Sequence, residues 1–295
     1  MAAVKKKDNI LIHLVFIIIC LLFLVPFLYV VSISFSDENV LAREGYRLIP
    51  SVWSTEAYRF VFKNPHSIVQ AYKITAIQAF LGMGVSVAVM ALCAYSLSRK
   101  SYIFAKPTMI YILITMLFGA GMVPSYIINT KYLGLADSMW VYILPGMVNG
   151  FQVVILRTFF SDLPSSLIES AKIDGACETV ILLKIILPLS KPVIATVALL
   201  QLLDRWNSWT PSLLYITNKD LYTLQYLLQR ILKEAEYIKN MAIEGINVAG
   251  ITDKKLPSES ARFAMCLVAT GPMLAVFPFF QKYFTKGLTV GAVKG

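Results

Sequence analysis

Charge is scarce in this chain. Of 295 residues only 15% are Asp, Glu, Lys or Arg, against 57% that are hydrophobic, and the mean hydropathy is +0.67. A soluble domain carries about a quarter charged residues, so that class is excluded and a polytopic membrane protein is indicated. Histidine is scarcer still: His13 and His66 are the two, too few for a histidine-rich metal site or proton relay. The four cysteines, Cys20, Cys93, Cys177 and Cys266, are scattered, and three lie in apolar runs. That is neither a disulfide framework nor a metal site. There is no GxxxxGK[ST] phosphate cradle, and Gly287, Gly291 and Gly295 lack its spacing, so the sequence offers no P-loop for nucleotide hydrolysis. No pair of carboxylates sits inside the apolar runs, which weakens an ion- or proton-coupled carrier.

What is abundant is apolar sequence in lengths of about 20 residues or more, enough to span a bilayer as helix. Six spans are expected, at approximately 10–34, 68–97, 107–128, 139–160, 188–216 and 261–284, within a single transmembrane domain 1–295. The net charge of +10 lies at span ends and in loops, without the dense basic surface that nucleic acid requires. Lys5, Lys6 and Lys7 before the first run, and Arg99, Lys100 and Lys106 in a short connection, predict cytoplasmic loops there and both termini inside. The first run is too long for a signal-peptide core and has no small-residue cleavage site. Residues 36–67 and 217–260 are then outside; Leu221, Leu224, Leu228 and Ile231 share one helical face there, which suits an interfacial helix. Gly119, Gly121 and Pro124 loosen the third span, and Gly146 and Gly150 in the fourth would allow close helix approach.

Between the fourth and fifth spans lies a charge-bearing interruption, ESAKIDGACETVILLKIILPLSKP, from Glu169 to Pro192. Ser166 and Glu169 have the spacing of a capping box, so a short helix is expected to start there. Asp174-Gly175 stops it, and a second helix carries Ile181, Leu182, Ile185 and Ile186 until Pro188. Glu169, Ala171, Gly175 and the run Ile185-Ile186-Leu187-Pro188 stand at fixed spacing in this helix-turn-helix. The stretch resembles the EAA loop of ABC-importer permeases, here 163–188. The ending YFTKGLTVGAVKG is similar to that of the maltose-type carbohydrate permeases. Two departures are Leu182 and Leu183, where maltose-type members often carry an aromatic residue, and Cys177, where a small polar cap is usual.

The resemblance implies an all-α, type I importer permease fold in the bacterial plasma membrane, without covalent chemistry. It implies that Glu169, Ala171, Asp174, Gly175, Leu182, Leu183 and Pro188 couple the chain to a cytoplasmic ATPase. It further implies a second, different permease subunit, two ATPase subunits using ATP and Mg, an extracytoplasmic solute-binding protein and an oligosaccharide substrate. This chain itself would bind no cofactor.

One polar cluster remains. In the outer half of the fifth span Asp204 and Arg205 are flanked by Gln201, Trp206, Asn207 and Trp209. Charge at depth is costly unless paired or facing a wet cavity, so Gln201, Asp204, Asn207 and Trp209, with Asn149 and Gln152 of the fourth span, are candidate substrate-pathway residues. The alternative is an aromatic belt with a local charge pair at the interface. A secondary carrier and a membrane-embedded transferase are the competing functions; the latter needs catalytic side chains that the sequence does not cluster.

Overall fold

A computed structural model describes residues 6–243 and 259–292. Residues 1–5 with Lys5, the part 244–258 of the outer connection and the terminal 293–295 lie outside the described residues. No strand occurs among the described residues; one isolated antiparallel bridge joins Ser36 and Trp53. The chain separates into two compact units, 1–68 with 227–272 and 69–226 with 273–295.

The first unit begins with α1 (Lys6–Ser34), whose apolar side chains from Ile12 to Leu28 are mostly exposed. A stretch that is apolar all round and exposed over its length is suited to face lipid. Asp37 accepts from the backbone N–H groups of Asn39 and Val40 and so caps α2 (Glu38–Glu44), which ends at Gly45 with φ +73°. The short α3 (Glu56–Val61) follows. The Glu38 carboxylate accepts from Glu259 N, Ser260 N and Ser260 Oγ at 2.8–3.0 Å, placing an anion on the first turn of α14 (Glu259–Ala292). α13 (Leu224–Ile243) buries Leu224, Leu228 and Ala235 along one side. Leu221 precedes it in a 3₁₀ turn, so the amphipathic face is shorter than the spacing implies.

The second unit is organised on α4 (Pro65–Ser98), one unbroken helix of 34 residues. The expected third span is broken: α5 (Ala105–Leu117) gives way to α6 (Met122–Ile127) and a π turn to Tyr132, bent by 112°. Gly121 at φ +83° makes the break, a conformation that glycine alone adopts without strain. A continuous fourth span over 139–160 is also absent. A 3₁₀ turn Met139–Tyr142 leads into non-helical backbone, and only Gly150–Ser161 (α7) is α-helix. Pro145 removes a donor from that stretch, and the carbonyls it frees find a partner elsewhere in the unit, as shown below. Twelve residues rise only about 18 Å, short of the roughly 30 Å hydrocarbon core.

α8 (Ser165–Ile173) is followed by α9 (Glu178–Ile181), a π turn Leu182–Ile186 and α10 (Leu187–Leu189). The chain then bends by 83° into α11 (Lys191–Asn207), and α12 (Thr210–Tyr215) continues after a break at Ser208. Among the described residues three helices are long and apolar enough to cross a membrane alone, and five candidates result if each bent pair counts as one. One core joins Met90, Ala94 and Tyr95 of α4 to Val153, Leu156 and Phe160 of α7, and to Val193 and Val197 of α11.

Candidate functional site

The interruption between α7 and α11 folds as a helix-turn-helix. The capping box does not form: Ser165 already belongs to α8, with Pro164 at the cap position and no side-chain bond. Proline supplies a fixed φ at a helix start, so α8 begins ahead of Ser166 and leaves that serine inside the first turn. The far end of α8 follows the expected chemistry. Ala176 N donates to Ala171 O (2.9 Å) and Gly175 N to Lys172 O (3.0 Å), with Gly175 at φ +77°. This is a Schellman motif, in which the two bonds satisfy carbonyls that the helix end leaves free.

Burial sorts the residues expected to couple. Ala171 and Leu182 are buried, Leu182 at 4% exposure, and pack with Ile168, Ile181 and Ile186 into the α4/α7/α11 core. They anchor the loop and present nothing to a partner, which corrects the expectation for both. Glu169, Asp174, Gly175, Leu183 and Pro188 are exposed, Leu183 at 58%. Ile173, which no sequence motif singles out, is 87% exposed beside the turn.

Glu178 joins the loop together. It pairs with Lys172 of α8 at 2.7 Å and accepts from the Tyr95 hydroxyl of α4, over whose ring the Arg99 guanidinium lies at 4.7 Å. The Lys172 bond first, then the tyrosine hydroxyl, hold the Glu178 carboxyl below the ordinary carboxylate range.

The second feature surrounds Arg205. Its guanidinium is buried and ion-pairs with no carboxylate among the described residues; Asp204 beside it is exposed. Instead Nη1 donates to Tyr142 O (2.6 Å), Nη2 to Ser86 Oγ (2.7 Å) and Gly146 O (3.1 Å), and Nε to Gln201 Oε1 (3.3 Å). Gln201 in turn donates to Gln152 Oε1 (2.8 Å), and Gln152 N to Asn149 Oδ1 (3.2 Å). The guanidinium therefore satisfies the backbone carbonyls of the non-helical stretch 142–146, which apolar surroundings would otherwise make costly. Gly82 leaves the space for it: a Cβ there would lie 2.5 Å from Nη1.

Arg205 and Asp204 line a cleft of about 360 Å³ with Asn129, Ser125, Tyr215 and Thr210. Asn129 Nδ2 donates to the Tyr215 hydroxyl (3.1 Å), and the Tyr142 hydroxyl bonds Ser212 (2.8 Å) and Leu221 O (2.7 Å). Hydroxyls, amides and aromatic rings around a concave surface are groups that hydrogen-bond and cover sugar rings. In the connection after α12, Asp137 accepts from the Thr217 hydroxyl, then from Asn218 N and Thr217 N, which together hold its carboxyl below the ordinary range.

The structure thus brings Asn149, Gln152, Gln201 and Arg205 into one chain of hydrogen bonds, of which Gln152 and Gln201 are buried, and places Asp204 on the cleft wall. Asn207 and Trp209 do not line it; Asn207 bonds Leu203 O (2.9 Å) and Gln225 (3.3 Å). Helical periodicity explains the separation for Asn207, which lies about 160° around α11 from Arg205. Ser86, Gly82, Asn129 and Tyr215 carried no sequence signal, because ordinary residues of apolar helices become a site only through packing. Arg205 did carry one, a charge in an apolar run.

The Binding-protein-dependent transport system inner membrane component family matches residues 80–290. The chain is 38% identical to the polygalacturonan/rhamnogalacturonan transport system permease protein YtcP of Bacillus subtilis (strain 168), over 96% of this chain and 95% of that one. It is 28% identical to the trehalose/maltose transport system permease protein MalG of Thermococcus litoralis, over 95% and 94%. Among solved structures, a bacterial ABC transporter involved in the import of the acidic polysaccharide alginate superimposes with a TM-score of 0.77 at 25% identity. The match covers 96% of this chain and all of that one.

Proposed function

This chain belongs to the family of binding-protein-dependent transport system inner membrane components, and from that premise we propose that it forms half of the translocation pathway of an ABC importer for an oligosaccharide. It is a helical membrane protein and a transport subunit, not an enzyme. The observation that carries the coupling role is the Schellman-capped helix-turn-helix: Leu182 and Ala171 fix it to the core while Glu169, Ile173 and Leu183 stand outward for an ATPase groove. ATP and Mg act on two separate ATPase subunits. An apolar groove of about 470 Å³, with Met83 and Val87 of α4 facing Leu183 and Ile194, supports a second permease subunit alongside.

The names of the relatives support a carbohydrate cargo, and those of YtcP and the alginate importer support an acidic one. In this reading an external binding protein releases the sugar into the cleft, where Asp204, Asn129, Thr210 and Tyr215 meet its hydroxyls. The reading sets six crossings, with the loop 163–188 and both termini in the cytoplasm. The test is reconstitution of the permease pair, ATPases and binding protein in vesicles with a panel of oligogalacturonides, arabinooligosaccharides and maltodextrins. ATP-dependent uptake and sugar-stimulated hydrolysis are expected for at least one. Uptake driven by an ion gradient without ATP would replace the reading with a secondary carrier.

A further inference from the structure

α4 touches both candidate sites. At its end Tyr95 donates its hydroxyl to Glu178, the residue through which α8 and α9 are tied by the 2.7 Å pair to Lys172. Nine residues back, about 14 Å along an unbroken helix, Ser86 accepts from Arg205, and Gly82 leaves room for the guanidinium. One turn beyond Gly82, Gln78 Nε2 donates to Arg205 O (2.7 Å). The helix between contains no proline, and Met90, Ala91 and Ala94 are buried in the core. The neighbouring elements differ: α5 is broken from α6 at Gly121, and the stretch before α7 is not helical.

We propose that α4 is the strut of the transporter: Tyr95 passes displacement of the 163–188 loop into α4, and Gln78, Gly82 and Ser86 pass it to Arg205 and so to the carbonyls of 142–146 that wall the cleft. Tyr95 is in this sense a positioning residue, acting through Glu178 and never touching cargo. A rigid helix gripped by hydrogen bonds at both ends moves as a body, whereas the apolar contacts along its middle permit sliding. Arg205 is suited to the receiving end because its fork binds α4, α11 and the non-helical stretch at once.

The inference rests on the proposed coupling role of the loop, and its test separates the two. Thr210→Cys, on the cleft wall, is introduced after replacing Cys20, Cys93, Cys177 and Cys266 by serine, and its rate of thiol alkylation is followed in the full complex with and without ATP. With Tyr95 present, ATP should change the rate several-fold. Tyr95→Phe keeps the ring and its contact with Arg99 but loses the hydroxyl, and it leaves the Glu178 pair with Lys172 inside the loop intact. The variant should retain the ATPase on co-purification and its basal hydrolysis, while the ATP-dependent change in alkylation at position 210 falls at least five-fold. An undiminished change overturns the strut. So does loss of the ATPase from the variant, which would make the bond part of the docking surface. Failure of the ATPase to co-purify with the parent protein instead overturns the coupling role itself.

Discussion

Gly82 lies so close against Arg205 that a Cβ there would be 2.5 Å from Nη1 and 2.7 Å from Cζ, and the guanidinium would have to shift to admit it. The arginine holds three close acceptors outside α11, Tyr142 O, Gly146 O and Ser86 Oγ, at 2.6–3.1 Å, and a fourth, Ile143 O, at 3.4 Å. Gly82→Ala should therefore displace the guanidinium and free those carbonyls. Each unsatisfied buried acceptor costs about 1–3 kcal/mol, so a drop of several degrees in the Tm of the purified complex, with loss of uptake, is expected. A melting curve and uptake equal to wild type would show that the fork is dispensable.

Arg205→Lys keeps the charge but offers donors from one point rather than a planar fork. It should hold one of the three acceptors and lower uptake at least ten-fold, whereas Asp204→Asn, on the exposed side, should alter sugar preference with little change in Tm. Uptake kinetics across the oligosaccharide panel distinguish the two outcomes.

Leu182 and Leu183 are adjacent and opposite in role. Leu182→Ala removes a buried side chain and should cost about 2–5 kcal/mol, read as a lower Tm. Leu183→Ala leaves the core intact and should weaken co-purification of the ATPase without changing Tm. Equal thermal effects of both would contradict their assigned positions.

Gly175→Val meets no steric obstacle from neighbouring atoms, since nothing lies within 4 Å of the added Cβ. The cost is conformational: φ of +77° is strained for a β-branched residue by about 1–3 kcal/mol. The spans should insert normally while the ATPase dissociates and uptake is lost. Retention of both functions would show that the turn does not set the docking geometry.

Glu178 has a lowered carboxyl pKa because Lys172 and the Tyr95 hydroxyl favour its ionised form. A group depressed in the folded state contributes above its unfolded pKa, about 4.3, and loses that contribution as pH falls through the folded value. The difference in Tm between wild type and Glu178→Gln should be constant from about pH 8 to 5 and close below about pH 4. The pair is half exposed, so the plateau is small, about 0–1 kcal/mol. A difference that grows on acidification would assign the opposite sign.

Much of this protein was written in its sequence because the responsible forces are local. Long apolar runs from Ile10 and Ile68 demand helices in lipid, and α1 and α4 follow them closely. Asp174-Gly175 demands a left-handed helix stop, and the Schellman bonds to Ala171 and Lys172 are there. The loop 163–188 was legible for the same reason, since turn chemistry and spacing act within one stretch of chain. Other features were settled only by tertiary structure. The stretch 139–149 is apolar enough for a continuous helix, yet after the 3₁₀ turn Met139–Tyr142 it stays non-helical, with Arg205, 63 residues beyond Tyr142, satisfying carbonyls there. Ala171 and Leu182 are among the residues the resemblance assigns to coupling, and only the tertiary structure puts their side chains in the core of α4, α7 and α11. Gly82 and Ser86 are unremarkable in an apolar helix, and only the packing of α11 against α4 turns one into space and the other into a partner. Hydrogen bonds and volume exclusion between segments distant in sequence leave no periodic trace, whereas hydrophobic length and turn stereochemistry do.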